Sequence, residues 1–201
     1  MQKKINIIIW SLIPCLILFF VILTNTRRSS IRVYEENWEQ AGHQIMIKVY
    51  GEPSLNWDTK LGKIKRLIKE KDQIEEQLDQ VISDIILQLN TASYIIQIDE
   101  YVTVGKRYQE EPFQVATMTS DHQLFKIMAL EQQALFVTDV TNDQAYERIF
   151  IIAPTPMKAS EVSKQLQVLS LEEGKMVAMQ LPKIEVYWLK QAKVVGHVKT
   201  T

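Results

Sequence analysis

Residues 149–163, IFIIAPTPMKASEVS, decide the fold of this chain. The apolar run 149–152 has the two-residue period of a strand, and the following Ala-Pro-Thr-Pro segment ends it and starts a helix. Strand, turn and helix therefore follow each other without a linker. A second helix is predicted from Leu171 to the Leu181-Pro182 pair, and a last strand at 184–188.

Upstream of this segment the pattern is mostly that of strands. The predicted strands are 44–50, 94–98, 102–104, 113–116, 124–128 and 135–137, and turn formers such as Gly105, Pro112 and Ser120 separate several of them. No internal repeat is evident. The order of strands and helices predicts an α+β domain built on a mixed or antiparallel sheet with packed helices.

Residues 57–90 have helical periodicity and contain no proline. Two interpretations fit. The first is a pair of ordinary helices joined near residues 70–72, each of which buries one face in the domain. The second is one continuous helix that dimerises, because its apolar positions alternate spacings of three and four with only Lys71 interrupting them.

Composition limits the classes of function. The chain has 201 residues, 46% of them hydrophobic, which is enough for one packed domain and an appendage. A net charge of −1 and the lack of a basic stripe argue against nucleic-acid binding. A single cysteine, Cys15, excludes an intrachain disulfide and a cysteine-rich zinc site.

The N-terminus contains an uncharged apolar run, residues 5–23, flanked by basic residues on both sides. At about 1.5 Å per residue this run is long enough to cross a hydrocarbon core of about 30 Å. It has no clear cleavage site, so we expect an uncleaved transmembrane anchor. The predicted organisation is an anchor at 1–26, a polar spacer at 27–43 and a globular domain at 44–201. Basic residues on both sides leave the orientation open.

Three blocks, residues 45–51, 78–105 and 134–195, resemble the FAD:protein FMN transferase (ApbE) family, once called thiamine biosynthesis lipoproteins. The resemblance implies a flavin-transferase-like domain outside the cytoplasm that uses FAD and Mg²⁺. This chain resembles a shortened and degenerate member, because three parts of the family's site are altered.

The first altered part is the turn between two strands. Family members have an Asn-x-Gly-Gly-type turn followed by a Val-Gly-Lys-like strand end, and this chain keeps Val104-Gly105-Lys106. The turn itself is Asp99-Glu100-Tyr101, without glycine, so the resemblance makes these three the candidate cofactor-binding residues. Glycines let backbone amides approach a pyrophosphate, whereas Asp99 and Glu100 bring negative charge. We therefore expect impaired FAD binding.

The second altered part is the metal motif. The family's Ala-Asp-Ala-Leu-Ser-Thr segment, in which the aspartate helps to hold Mg²⁺, corresponds here to residues 159–164, ASEVSK. Ser160 replaces the aspartate, and Glu161 is one position later, a rotation of roughly 100° on a helix. Ser160 and Glu161 are therefore the candidate metal residues, and Ser160 lacks the carboxylate that Mg²⁺ prefers.

The third altered part is a loop. The family has a His-x-x-Asp-Pro-x-Thr-Gly segment between the strand near 134–139 and the strand at 149, and this chain has only residues 140–148 there. Thr138 and Asp139 remain as candidate catalytic residues.

Three functions are open. The first is a membrane-anchored, flavin-transferase-like protein without transferase activity that acts as a binding or accessory module. The second is an active Mg²⁺-dependent enzyme that moves FMN from FAD to a Ser or Thr of a target protein. The third is a single-pass interaction protein that dimerises through residues 57–90. The expected partners are the membrane, through residues 5–23, and either an extracytoplasmic flavoprotein or a second copy of the chain.

Overall fold

The structure is a computed structural model that describes residues 32–52, 55–70, 77–89, 93–107, 111–140 and 145–201. The strands found in these ranges are β1 (Arg32–Gln40), β2 (His43–Gly51), β3 (Ser93–Ile98), β4 (Tyr101–Val104), β5 (Phe113–Met118), β6 (Leu124–Leu130), β7 (Ala134–Asp139), β8 (Arg148–Ala153), β9 (Glu185–Lys190) and β10 (Lys193–Lys199). The helices are α1 (Trp57–Lys69), α2 (Leu78–Leu89), α3 (Pro156–Leu166) and α4 (Leu171–Gln180).

Eight of these strands form one sheet in the order β1-β2-β3-β4-β7-β8-β9-β10, and every neighbouring pair is antiparallel. Strands β5 and β6 form a separate two-stranded ribbon. The α+β prediction is confirmed, with an antiparallel sheet.

The order of elements occurs twice. Two strands, two helices and two strands follow one another in β1-β2-α1-α2-β3-β4 and again in β7-β8-α3-α4-β9-β10. The β5–β6 ribbon is inserted between these halves, which meet where β4 pairs with β7. The sequence shows no repeat, so the similarity between the halves lies in the order of elements.

Apolar side chains pack on both faces of the sheet. Successive residues of a strand point to opposite faces, so Ile149 and Ile151 pack on the helix side while Phe150 and Ile152 pack on the ribbon side. All six residues of β8 are buried. A strand that is covered on both faces reads as a continuous apolar run, which is why residues 149–152 stand out in the sequence.

The start of α3 confirms the predicted turn from strand to helix. Thr155 is the N-cap residue, its side-chain oxygen accepts a hydrogen bond from the Lys158 backbone amide at 3.3 Å, and Pro156 occupies the first turn. Proline is favoured there because its missing amide would have no partner within the helix. Helix α4 begins with a capping box formed by Ser170 and Glu173.

Residues 57–90 contain two helices that bury their apolar faces in their own domain. The buried residues of these helices belong to the helix-side core and are Trp57, Leu61, Ile64, Ile68, Val81, Ile82, Ile85 and Leu89. The first interpretation of this segment is therefore confirmed. The continuous dimerising helix is wrong for the described residues, because the positions that would form its seam pack inside the fold.

The predicted polar spacer requires a correction. Residues 32–40, which lie inside the predicted spacer 27–43, form β1 at one edge of the sheet. Tyr34 and Trp38 are half-buried against α1, with the Tyr34 and Trp57 rings 6.4 Å apart and the Lys65 ammonium 5.4 Å from the Trp38 ring. The acidic residues between them hide the strand pattern. The other edge strand, β10, was also missed, and the last predicted strand, 184–188, corresponds to β9.

The predicted anchor, residues 1–26, lies outside the described residues. Among the residues that the structure describes, no helix is long and apolar enough to cross a membrane.

Candidate functional site

The predicted cofactor turn connects β3 to β4 and is attached to the start of β2. Asp99 has a left-handed backbone, with φ of 49°. Its carboxylate accepts a hydrogen bond from the Gln44 backbone amide at 2.9 Å and lies 2.6 Å from Nδ1 of His43. The Asp99 backbone amide donates to the Gln44 carbonyl at 3.0 Å. Asp99 therefore contacts other parts of this chain through both its side chain and its backbone.

Arg148 brings together two of the predicted residues. Asp139 accepts hydrogen bonds from Arg148 Nε at 2.5 Å and Nη2 at 2.8 Å, and Glu100 accepts one from Nη2 at 3.2 Å. Arg148 Nη1 donates to the Met118 carbonyl at 3.0 Å. The Arg148 side chain is only 8% exposed. Its hydrogen bond to Asp139 raises the pKa of the guanidinium, although burial acts in the opposite direction.

Thr138 lies on the other face of the sheet from Asp139. Its hydroxyl accepts a hydrogen bond from Gln167 Nε2 at 2.7 Å, and the same nitrogen donates to Ser163 Oγ at 3.0 Å. Gln167 and Ser163 lie at the end of α3, on the helix side of the sheet. Asp139 instead contacts Arg148, whose guanidinium also donates to the Met118 carbonyl of β5 on the ribbon side. The pleat of β7 therefore separates the two predicted catalytic side chains.

The predicted metal residues also point in different directions. Ser160 is buried, on the same side of α3 as Ser163. Glu161 is exposed and forms an ion pair with Lys158 at 3.0 Å. The polar groups on the buried side of α3 are the hydroxyls of Ser160 and Ser163, whereas Mg²⁺ prefers carboxylate oxygens. The donor set of α3 therefore does not fit Mg²⁺. Within the described ranges no three His, Cys, Asp or Glu residues are grouped so that they could hold a metal ion.

The predicted turn does line a cavity, of about 180 Å³. Its walls are His43, Leu78, Ile98, Asp99, Glu100, Tyr101, Phe136 and Val137. Two carboxylates face this space, and the nearby Arg148 is already paired with Glu100 and Asp139. An anionic pyrophosphate would be repelled here, and the cavity is smaller than the roughly 300–1,000 Å³ of typical ligand pockets. FAD does not fit this site.

Sequence reasoning missed His43 and Arg148. His43 lies 56 positions from Asp99 in the chain. No spacing rule connects residues so far apart. Arg148 is the last residue of the predicted loop 140–148, and in the structure it is the first residue of β8. Its proximity to Glu100 depends on the pairing of β4, β7 and β8.

A second cavity, of about 280 Å³, lies at the opposite ends of β4 and β7, where α3 begins. The Tyr94 ring covers Gly105 there, and Lys106, Thr155 and Pro156 also line the space. Burial raises the pKa of Tyr94. The Val104-Gly105-Lys106 strand end thus packs beneath an aromatic ring, away from the 99–101 turn.

No protein-family model matches the sequence, and no curated protein matches it. Solved structures do match the fold. The flavin transferase ApbE from Vibrio cholerae aligns with a TM-score of 0.64 and 11% identity, over 85% of this chain and 98% of that chain. The apo flavinyl transferase ApbE from Pseudomonas stutzeri aligns with a TM-score of 0.65 and 10% identity, over 85% of this chain and 95% of that chain. The described part of this chain therefore has the fold of the ApbE flavin transferases.

Proposed function

We propose that this chain is a membrane-anchored, flavin-transferase-like protein that lacks FMN transfer and acts as a binding or accessory module outside the cytoplasm. The likeness of its fold to solved flavin transferases supports the comparison with that activity. The observation that carries the loss of activity is that two of the predicted site carboxylates, those of Glu100 and Asp139, are bound by the buried Arg148.

The ion pair affects the chemistry in two ways. Both Asp139 carboxylate oxygens accept hydrogen bonds from the Arg148 guanidinium, so neither oxygen is oriented toward an acceptor hydroxyl as a general base would be. The same contacts occupy the oxygens that a cation would need. Ser160 offers a hydroxyl, and Glu161 is paired with Lys158 on the exposed side of α3. These contacts support the absence of metal-assisted transfer at Asp139, Ser160 and Glu161.

Transfer activity is tested with the purified full chain in detergent. The chain is incubated with FAD, Mg²⁺ and a protein acceptor that the Vibrio cholerae flavin transferase labels under the same conditions. We expect fluorescent, covalently labelled acceptor with that enzyme and none with this chain. Labelling by this chain that disappears in Asp139→Asn would overturn the proposal and favour the active transferase.

Flavin binding is measured separately by quenching of flavin fluorescence, with and without Mg²⁺. We expect no Mg²⁺-dependent quenching at micromolar chain concentrations. Saturable quenching that requires Mg²⁺ would contradict the site described above, because it would mean that the residues hold a cation and a dinucleotide together.

The anchor is tested by fractionation. We expect the full chain to stay in membranes washed with alkaline carbonate, and its domain to be digested by protease added to intact spheroplasts. Extraction by carbonate would disprove the anchor, and protection from protease would disprove the extracytoplasmic placement.

A further inference from the structure

The β5–β6 ribbon has one face packed on the sheet and one face turned away from it. Phe113, Met128 and Leu130 are buried on the packed face. The other face, which we term the outer ribbon face, consists of Gln114, Ala116, Met118, Leu124, Ile127 and Ala129, all exposed. Five of these six side chains are apolar, and three are large: Met118 is 45% exposed, Leu124 58% and Ile127 55%.

Strand pairing makes this face continuous. Gln114 lies opposite Ala129, Ala116 opposite Ile127, and Met118 opposite Leu124. The register shifts beside Met118, and on β6 this bulge turns both Phe125 and Lys126 toward the sheet. There Phe125 stacks on Phe150 at 5.1 Å, and Lys126 Nζ donates to the Tyr187 hydroxyl at 2.6 Å.

The bulge therefore removes the lysine of β6 from the outer ribbon face. As defined, that face has no charged side chain, and Gln114 is its polar member. Exposed apolar residues are ordinary when they are scattered, whereas a contiguous apolar surface indicates a contact with another apolar phase or surface.

The start of β1 lies on the same side of the sheet as the ribbon. Val33 pairs with Tyr50, so the two side chains share a face, and the Tyr50 ring is 5.4 Å from the Phe113 ring of β5. Arg32 precedes Val33 and is the first described residue. The chain thus enters the fold beside the ribbon.

The length of chain before Arg32 limits how far the ribbon can be from the predicted anchor. Eight residues, 24–31, separate the apolar run 5–23 from β1, and they span at most roughly 28 Å when fully extended. Packed sheets lie about 10 Å apart, so the ribbon is close to the point where the chain enters. If residues 5–23 cross a bilayer, the outer ribbon face is within reach of its surface.

We propose that the outer ribbon face lies on the bilayer that holds residues 5–23, with Met118, Leu124 and Ile127 at the boundary between headgroups and acyl chains. This inference rests on the membrane anchor of the proposed function. Because the face is uncharged, burial of apolar side chains drives the contact. Zwitterionic lipid is therefore sufficient, and the contact is insensitive to salt.

The test uses the full chain with Cys15→Ala, inserted as single copies into phosphatidylcholine nanodiscs that contain spin-labelled lipid. An environment-sensitive fluorophore is attached at Ile127→Cys, and in a separate sample at Met118→Cys. The matched control carries the label at Lys164→Cys, an exposed position on α3 in the opposite layer. We expect several-fold quenching at 127 and 118 and little at 164. The quenching should not change in about 0.5 M salt, where the Debye length falls to roughly 4 Å.

A further variant separates lipid contact from folding. Leu124→Asp combined with the label at 118 should remove most of the quenching and leave the thermal unfolding midpoint nearly unchanged, because Leu124 is exposed. Retained quenching in this variant would contradict a contact through the outer ribbon face.

The remaining outcomes are distinct. A chain retained in the disc whose labels at 127 and 118 stay unquenched disproves the lipid contact and leaves the anchor intact. A chain that does not remain in the disc disproves both. A fluorescence change that occurs only when discs hold two copies would show that a second chain covers this face, which also overturns the proposal.

Discussion

The Asp139 carboxylate is joined to the Arg148 guanidinium by two hydrogen bonds, of 2.5 Å and 2.8 Å, across the paired strands β7 and β8. The same guanidinium reaches Glu100 in the turn before β4 and the Met118 carbonyl at the end of β5. One buried cation therefore connects the sheet, the predicted cofactor turn and the ribbon. Two predicted site residues, Glu100 and Asp139, are therefore held in one ion-pair network.

Asp139→Asn should lower the free energy of unfolding by about 2 kcal/mol, because it weakens the charged hydrogen bonds of a buried guanidinium. Denaturant titration measures this change. The matched control is Glu161→Gln, which removes an exposed carboxylate paired with Lys158 and should cost no more than about 0.5 kcal/mol. Equal losses in the two variants would contradict the structural role of the Arg148 pair.

Gly105→Ala should destabilise the protein by about 1–3 kcal/mol, since a Cβ at this position would lie 2.5 Å from Cε1 of the Tyr94 ring. Gly62→Ala provides the control. A Cβ there has no neighbour within 4 Å, and alanine is favoured inside a helix, so this variant should gain about 0.5–1 kcal/mol. Thermal or chemical unfolding measures both changes in stability, which should have opposite signs.

Asp99→Ala and Asp99→Gly separate backbone strain from side-chain contacts in the 99–101 turn. Both variants lose the contacts with His43 and the Gln44 amide. Only glycine adopts the observed φ of 49° without strain, so Asp99→Gly should be about 1 kcal/mol more stable than Asp99→Ala in denaturant titration. If alanine proves as stable as glycine, the left-handed conformation at Asp99 is not a constraint on this turn.

Protonation of Glu185 at acidic pH should lower the free energy of unfolding. Burial acts to raise its pKa, but hydrogen bonds from Lys199, Tyr187 and His197 outweigh burial and hold the pKa below the ordinary 4.5. A carboxyl group whose pKa is lower in the folded state than in the unfolded state stabilises the fold. This stabilisation is complete at pH values above the unfolded-state pKa and is lost as the pH falls through the folded-state pKa. The loss should therefore begin near pH 4.5 and increase below it.

Glu185→Gln should remove this dependence. At pH 7 the variant should be about 1–2 kcal/mol less stable than the wild type, because the charged hydrogen bonds are lost. Below pH 4 the difference between the two proteins should shrink. Unfolding midpoints measured from pH 7 to pH 3 check this, and a constant difference across that range would exclude Glu185 as the source.

Local patterns predicted the elements that carry their own signal. The run 149–152 became β8, and the Pro-Thr-Pro turn led directly into α3 because Thr155 caps the helix and Pro156 fits its first turn. The strand β1 was missed, because its half-covered face carries Glu36 between the aromatic residues Tyr34 and Trp38. That pattern does not resemble the apolar strands of a sheet interior.

The candidate site was predicted only in part. Asp99, Glu100 and Tyr101 line one cavity, as expected for residues of one turn. Thr138 and Asp139 were treated as one pair, but a strand places neighbouring residues on opposite faces. The prediction also paired Ser160 with Glu161, although only Ser160 faces the fold.

The sequence by itself determined the α+β class and the identity of most strands and helices, because period and capping are properties of neighbouring residues. Only the tertiary structure decided which charges meet. His43 contacts Asp99, and Arg148 contacts Glu100. Each contact exists because the register of the eight-stranded sheet brings together residues that are far apart in the chain. Register depends on all paired strands together, so no local pattern contains it.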